Sequence, residues 1–325
     1  MISIIIPVHN SEKYLRYCLD SVAGQTFRDF ECICVIDSEG DNSLEILKEY
    51  ASKDFRFIII KKTAGTINDN RNAGLENAKG EYVYFLDSDD YISPDYIEGF
   101  YKVAAETNAS VVINPNITLL YTNVRKQMPQ NLYKEKEYFV TPQNISEVLK
   151  NVYLWNKLFK SELLKKINVK FPDIIISEDL YFCWCVMPFA GKIAVNYEGQ
   201  YFYRQSSSQV SRGLTGKTPE FFINAYNLVK DFYRENKLED NWQVPVYCLY
   251  YQLRYNFNAK TFLSDYEKIK VAIDDTVMHN ALLSKPEKIF IKRVNKGILY
   301  CFLTVCVKIV VIKLIKSVAR PFLLR

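Results

Sequence analysis

Metal-ligand spacing is missing from the eight cysteines of this 325-residue chain. Cys32-x-Cys34 lies in a strand-like run that sends both side chains to one face, and Cys183-x-Cys185 lies in an apolar, helix-like stretch. Glycine is missing after the first apolar run, which continues as Pro7-Val-His-Asn10, so a Gly-rich phosphate loop is excluded there. No leader segment is expected, since Met1 leads straight into that run. These absences set aside a disulfide framework and predict reduced thiols in a cytoplasmic protein. An unbroken apolar stretch of about twenty residues is missing too. The nearest approach, Ile298–Ile315, is interrupted by Lys308 and Lys313. What is present is apolar content of 49%, enough for a substantial core. The length suits one large domain with appendages, or two domains.

The net charge of +5 is unevenly distributed. Residues 285–325 carry ten Lys or Arg and one acid, Glu287, which makes that tail +9 and the rest of the chain −4. The basic residues flank apolar ones instead of forming a polar surface, which argues against nucleic acid. At a helical 100° per residue, Lys308, Lys313, Lys316 and Arg320 fall within one arc of about 140°. That pattern predicts a helix lying in an anionic membrane surface; a helix packed on protein and a true span are the other readings.

Four short apolar runs lie in the first ninety residues: 2–8, 30–37, 55–60 and 82–86. Segments of helical period separate them, with Tyr14, Leu15, Cys18, Leu19 and Val22 in one and Leu44, Leu47 and Tyr50 in the next. Asn68–Ala78 supplies a shorter third helix. Strands alternating with helices predict an α/β fold with a mainly parallel central sheet. Ligands of such sheets bind beyond the carboxyl ends of the strands, where His9, Asp37, Asp87 and Asp89 fall.

Residues 87–90 read Asp-Ser-Asp-Asp at the end of a buried strand. Crowded carboxylates repel and call for a cation. One or two carboxylates leave coordination sites for phosphate oxygens and water, an arrangement suited to Mg²⁺ or Mn²⁺. A turn leading to a helix cap at Ser93-Pro94-Asp95 explains the same residues without a metal. Asp37 can accept hydrogen bonds from a base or ribose. Arg71, at the start of the third helix, can pair with phosphate or stack on a base, or be a plain surface arginine.

The stretches Ser3-Ile-Ile-Ile-Pro-Val-His-Asn10, Ser11–Val22 and Gln25-Thr-Phe27 resemble the opening of the family 2 glycosyltransferases. Arg71-Asn-Ala-Gly-Leu75, Ala78-Lys-Gly-Glu-Tyr82 and Phe85-Leu-Asp-Ser-Asp-Asp-Tyr-Ile92 continue that resemblance in order. It is close over residues 1–100 and looser to about 205. It implies a GT-A nucleotide-diphospho-sugar transferase sandwich and sugar transfer with inversion from a nucleotide diphosphate, most often UDP. It also implies that Pro7, His9 and Asp37 surround the nucleobase, that Arg71 approaches base or phosphates, that Asp87 with Ser88 belongs to the nucleotide site, and that Asp89 coordinates Mn²⁺ or Mg²⁺. The chain departs from the pattern at His9, where tyrosine is usual. It also departs at Ile36-Asp-Ser-Glu39, where two adjacent aspartates and Gly-Ser are usual.

Inverting transfer needs a base opposite the leaving diphosphate. Ser177-Glu178-Asp179 follows an apolar, strand-like run, Ile174–Ile176, and equally reads as a helix start with Ser177 as N-cap. The resemblance assigns Asp179 as base, with Glu178 a weaker candidate for orienting the acceptor. Trp155 could stack on an acceptor sugar, but core packing accounts for it more simply. Residues 201–208 pass from an apolar strand into a serine run. That run could close over a donor with Arg204 or Arg212 near the diphosphate, or be a plain solvent loop.

The expected organisation is a glycosyltransferase domain over 1–215, with a nucleotide half to about 110 and an acceptor half beyond. A helical subdomain over 216–284 and the membrane-associating tail over 285–325 follow. The expected activity is hexosyl or N-acetylhexosaminyl transfer from a nucleotide-sugar donor to a glycan, with a lipid-linked one expected, in bacterial surface polysaccharide synthesis at the inner face of the cell membrane. Two rivals are a sugar-nucleotide nucleotidyltransferase, which the missing glycine loop disfavours, and a non-catalytic binding protein of the same fold, which Asp87, Asp89 and Asp179 disfavour.

Overall fold

In a computed structural model the described residues are 1–37, 40–63, 65–121, 125–128, 137–139, 152–174, 177–205 and 220–237. The expected contents of Ser38 and Glu39, Ile175 and Ile176, Arg212, 238–284 and the tail 285–325 lie outside them.

The first apolar run becomes β1 (Ile2–Val8), in which all seven residues are buried. A strand covered on both faces has no solvent side on which to alternate, so it reads as a continuous apolar run. The same holds for β2 (Phe30–Ile36) and β4 (Tyr82–Phe85). β3 (Phe57–Lys61) starts two residues later than the hydrophobic pattern predicts. Asp54 turns the chain first: its Oδ1 accepts the Arg56 backbone N–H at 3.0 Å and its carbonyl accepts that of Phe57 at 3.1 Å. Phe55 is left 92% exposed on that turn.

Between these strands run α1 (Glu12–Ala23), α2 (Ser43–Lys53) and α3 (Ile67–Asn77). α1 buries Leu15, Cys18, Leu19 and Val22 as predicted. α2 buries Ile46 and Leu47, with Leu44 and Tyr50 packed at the margin of the core. α3 starts at a capping box in which Thr66 and Asp69 satisfy each other's backbone N–H groups. Its buried face is polar, made of Asn68, Asn70 and Arg71, with Gly74 the close-approach point. A Cβ on Gly74 would sit 2.4 Å from Ile5 Cγ2, so glycine lets α3 lie against β1.

Further along come β5 (Tyr91–Ile92), α4 (Tyr96–Thr107), β6 (Val111–Ile113), β7 (Ile117–Leu120), β8 (Arg125–Gln127) and β9 (Glu137–Phe139). They are followed by β10 (Lys157–Lys160), α5 (Ser161–Ile167), α6 (Glu178–Val186), β11 (Lys192–Val195) and β12 (Tyr201–Arg204). Eight strands form one sheet in the order β3-β2-β1-β4-β10-β6-β11-β9. β3, β2, β1 and β4 pair in parallel, while β10 runs antiparallel to β4 and β6. A second sheet, in the order β5-β12-β7-β8, lies next in sequence to the carboxyl end of β4.

The chain divides into two compact units, Met1–Gly213 and Leu214–Arg325. Of the second, the described part is α7 (Glu220–Glu235) with Asn236 and Lys237; α7 buries Ala225, Val229, Phe232 and Tyr233. Among the described residues no helix is long and apolar enough to cross a membrane. Cys18, Cys32, Cys34, Cys183 and Cys185 are free, buried thiols.

Candidate functional site

Parallel pairing brings the carboxyl ends of β1, β2 and β4 side by side, and the polar residues that follow them meet there. Pro7 is buried in β1 opposite Val35 of β2. His9 follows β1 and donates from Nδ1 to Asp37 Oδ1 at 2.8 Å, while Asn10 Nδ2 lies 3.2 Å from its Nε2. The Asp37 side chain is 1% exposed, and its Oδ2 is buried with no partner. An orphaned carboxylate oxygen at a strand end is an acceptor awaiting a donor. Asp41, by contrast, is occupied in holding helices: it accepts the backbone N–H of Glu12 at 2.9 Å and of Ser43 at 3.0 Å.

The turn after β4 carries the carboxylates. The Asp90 N–H bonds to the Asp87 carbonyl at 3.1 Å and closes it. Ser88 Oγ lies 2.6 Å from Ser11 Oγ, tying the turn to the start of α1. Asp90 points inward and is fully buried. It accepts the Tyr201 hydroxyl at 2.6 Å and the Arg204 backbone N–H at 2.6 Å. Burial, reinforced by Asp89 and Asp87, pushes its carboxyl well above the usual range. Asp90 is therefore structural, and it welds the second sheet to the turn. Arg204 completes that weld: its Nε donates to the Asp89 carbonyl at 2.9 Å, and its guanidinium lies 4.3 Å from the centre of the Tyr14 ring. Sequence periodicity assigned Tyr14 to the core, but its ring serves this cation instead.

Arg71 is not at the surface. Its side chain is 3% exposed and surrounded by carboxylates. Nη2 reaches Asp87 Oδ1 at 3.1 Å; Nη1 reaches Glu178 Oε1 at 3.0 Å and Asp179 Oδ1 at 3.4 Å. Burial works against its charge, but Asp179, Asp87 and Glu178 outweigh burial and hold the guanidinium protonated. The sequence reading placed Arg71 beside base or phosphates. Its position one turn into α3, level with the end of β4, puts it between the donor-side Asp87 and the start of α6. Glu178 is correspondingly an ion-pair partner of Arg71, which occupies the carboxylate that was a candidate for orienting an acceptor.

Asp179 lies in the first turn of α6, behind Ser177 at φ 71°. Ser177 stands at the cap position with Glu178 and Asp179 in the first turn, as the helix-start reading expects, although its side chain makes no capping bond. A quarter of the Asp179 side chain meets solvent. Burial pushes its carboxyl up to about 7; Arg71 opposes that, Glu178 and Asp87 add to it, and the Leu154 backbone amide works against it. A carboxylate poised near neutrality can take a proton from a hydroxyl and hold it.

Trp155 is 5% exposed and has no open face for a sugar. It stacks on Tyr201 at 4.3 Å, Tyr153 at 4.9 Å and Tyr203 at 5.2 Å, so it packs the base side of the site, in agreement with the simpler reading. Sequence reasoning missed Asn68, Asn70 and Asn72. Asn68 donates to the carbonyls of Pro172 and Ile174, and Asn72 donates to that of Phe171 at 2.9 Å while accepting its N–H at 2.8 Å. They pin the segment before α6 onto α3. Asn70 is fully buried with both ends of its amide unpartnered. Asparagine at every second position from 68 to 72, with a fourth at 77, in one short helix of low amphipathicity was the available signal.

Among the described residues no three His, Cys, Asp or Glu side chains gather to hold a metal ion by themselves. Asp89 offers a hard carboxylate oxygen at the turn, which fits an ion drawing its other ligands from phosphate oxygens and water.

Residues 3–168, half of the chain, match the family described as Glycosyl transferase family 2. The putative glycosyltransferase EpsH of Bacillus subtilis is 30% identical over 74% of this chain and 71% of its own length. The poly(ribitol-phosphate) beta-glucosyltransferase of Bacillus spizizenii is 31% identical over 79% of this chain and 40% of its own. The chain spans from 33% to 71% of the lengths of three curated relatives it matches. Residues 1–349 of S. aureus TarS, solved in complex with UDP-GlcNAc, superpose with a TM-score of 0.76 over 93% of this chain and 89% of that one, at 23% identity.

Proposed function

The chain belongs to glycosyl transferase family 2 and has the GT-A fold, and from that premise we propose that it moves a sugar, with inversion, from a UDP-sugar to a hydroxyl of a glycan acceptor in bacterial surface polysaccharide synthesis. The observation that carries this reading is the buried bridge from Asp87 through Arg71 to Asp179. It ties a donor-side carboxylate to one poised near neutrality, as a displacement with the base opposite the leaving group requires.

On this reading Pro7 and His9 border the nucleobase. Asp37 Oδ2 accepts a ring N–H, which uracil offers, and Asp87 with Ser88 faces the ribose. Asp89 would hold Mn²⁺ or Mg²⁺ together with the donor diphosphate. That ion supplies neutralisation of charge on the leaving diphosphate. Asp179 takes the acceptor's proton as its oxygen attacks. The uridine preference draws support from the relative solved with UDP-GlcNAc, and the polymeric acceptor from the poly(ribitol-phosphate) enzyme. A lipid-linked acceptor and peripheral attachment to the inner face of the membrane rest on the basic, amphipathic pattern of 285–325.

The test is release of UDP from UDP-N-acetylglucosamine and UDP-glucose with Mn²⁺, for wild type, Asp89→Ala and Asp179→Asn. Turnover by wild type and its loss in both variants is expected. No binding of either donor to wild type defeats the uridine reading, and unchanged turnover by Asp179→Asn defeats the base assignment. For the tail, liposome binding should disappear when residues 285–325 are deleted; unchanged binding refutes the attachment.

A further inference from the structure

A second buried cation stands behind Asp179, and the function above leaves it unused. Lys157 in β10 is fully buried. Its ammonium donates to the Tyr153 carbonyl and, at 2.9 Å, to Asn156 Oδ1. Its backbone N–H bonds to the Leu154 carbonyl at 3.2 Å. Side chain and backbone together close the turn from Tyr153 to Lys157, and the Leu154 amide of that turn bears on the Asp179 carboxylate. The turn is also held from the other side. Cys183, one helical turn beyond Asp179 in α6, donates to the Val152 carbonyl at 3.4 Å. Asn156 is buried and exchanges backbone and side-chain bonds with Asn114. Burying an ammonium is costly, and closing a turn does not need one, since a neutral donor would serve. The charge itself is what a neutral donor could not supply.

We propose that Lys157 is a positioning residue for the base: it closes the turn whose Leu154 amide meets Asp179 and sets a buried positive charge on that side of the carboxylate. This rests on the reading of Asp179 as base. The groups that face Asp179 are Arg71 from α3, Glu178 and the Cys183 thiol from its own helix, Asp87 from the turn after β4, Tyr203 from β12, and Lys157 from β10. Two carboxylates therefore oppose ionisation of Asp179 and two cations favour it. Burial lowers the Lys157 ammonium to about 8, with Cys183 and Asp179 raising it again, so it remains mostly charged at neutral pH.

The test is ¹³C-carboxyl NMR titration of the full chain labelled at aspartate, with Asp179→Asn identifying the resonance. In wild type the Asp179 midpoint is expected near 7. Lys157→Gln keeps a donor but loses the charge, so its midpoint should rise by roughly one unit, and Lys157→Arg should bring it back toward wild type. Release of UDP from UDP-N-acetylglucosamine or UDP-glucose should fall about tenfold in kcat for the Gln variant, with donor KM within about twofold and the acid limb moving with the midpoint. An unshifted midpoint in a folded Gln variant overturns the inference. Should that variant not fold, linkage supplies the reciprocal measurement: the Lys157 midpoint must fall in Asp179→Asn, and an unchanged one is equally fatal. Full turnover by Asp179→Asn overturns the base reading and this inference with it. An inactive Asp179→Asn with no shift overturns this inference alone.

Discussion

The donor side and the base side of the site are built in different ways. His9, Asp37, Asp87, Ser88 and Asp89 follow the ends of β1, β2 and β4, three strands that pair in parallel within the first ninety residues. Their bonds run to an imidazole, a hydroxyl and backbone groups, with Asp87 also reaching the Arg71 guanidinium. On the base side, Arg71, Glu178, Asp179 and Lys157 come from α3, α6 and β10 and form a balance of buried charges. Strand order alone makes the first surface, whereas the second exists only if every charge is present. On the proposed reading, a single change such as His9 for the family's tyrosine leaves the strand-end surface in place, whereas loss of one charge on the base side strands the others.

That contrast can be broken or sharpened, beginning with the largest effect. Arg71→Met leaves Asp87, Glu178 and Asp179 without the cation between them. Removing one member of a buried ionic cluster costs about 3–5 kcal/mol, which urea unfolding will read. Stability within about 1 kcal/mol of wild type would show that charge does not join the two sides. Next is the pH dependence of kcat. A carboxyl raised to about 7 is protonated below that pH and cannot accept the acceptor's proton. Turnover should therefore fall about tenfold per pH unit below about 7 and level off above it. A carboxylate with an ordinary value near 4 would leave the profile flat down to about pH 5, and such a profile would remove Asp179 as base.

Asp90→Ala should cost less, about 1–3 kcal/mol, because it strands the Tyr201 hydroxyl and the Arg204 N–H, both already placed by β12. It should weaken binding of the donor more than it slows the chemistry, because the turn that it anchors holds Asp89; isothermal titration with UDP and Mn²⁺ separates the two. Smallest is Lys170→Ala. Lys170 pairs with Glu76 at 3.1 Å and ties the same two segments as the Arg71 cluster, but both side chains are exposed. A change within about 0.5 kcal/mol is expected in thermal unfolding. A larger loss would mean that surface pairing, and not the buried cluster, joins α3 to the segment before α6.

The donor side was legible because its signal is local. A short apolar run followed by Asp37, or by Asp87-Ser-Asp-Asp90, announces a strand and its end within ten residues. The sequence reading already set Asp90 apart as structural, and its burial and its bond from the Tyr201 hydroxyl supply the physical reason. The base side was legible only as a pair of acids at a helix start. Nothing near residue 71 announces a partner more than a hundred positions later, and β10 enters the sheet between β4 and β6, out of chain order. Arg71 was accordingly read as a donor ligand or a surface arginine, with no ion-pair partner foreseen, and Trp155 as core packing before an acceptor platform. Nothing in the sequence marks Lys157 as buried. Burial of charge is a tertiary property, and sequence periodicity does not report it.

The most direct measurement pairs binding of UDP with release of UDP from a saturating UDP-sugar at pH 8, for wild type and Asp179→Asn. The account predicts UDP affinity within about threefold of wild type and turnover reduced about 10²- to 10⁴-fold, because the donor strand ends remain intact while the proton acceptor is gone. Full turnover in Asp179→Asn, or loss of UDP binding in step with turnover, would contradict it.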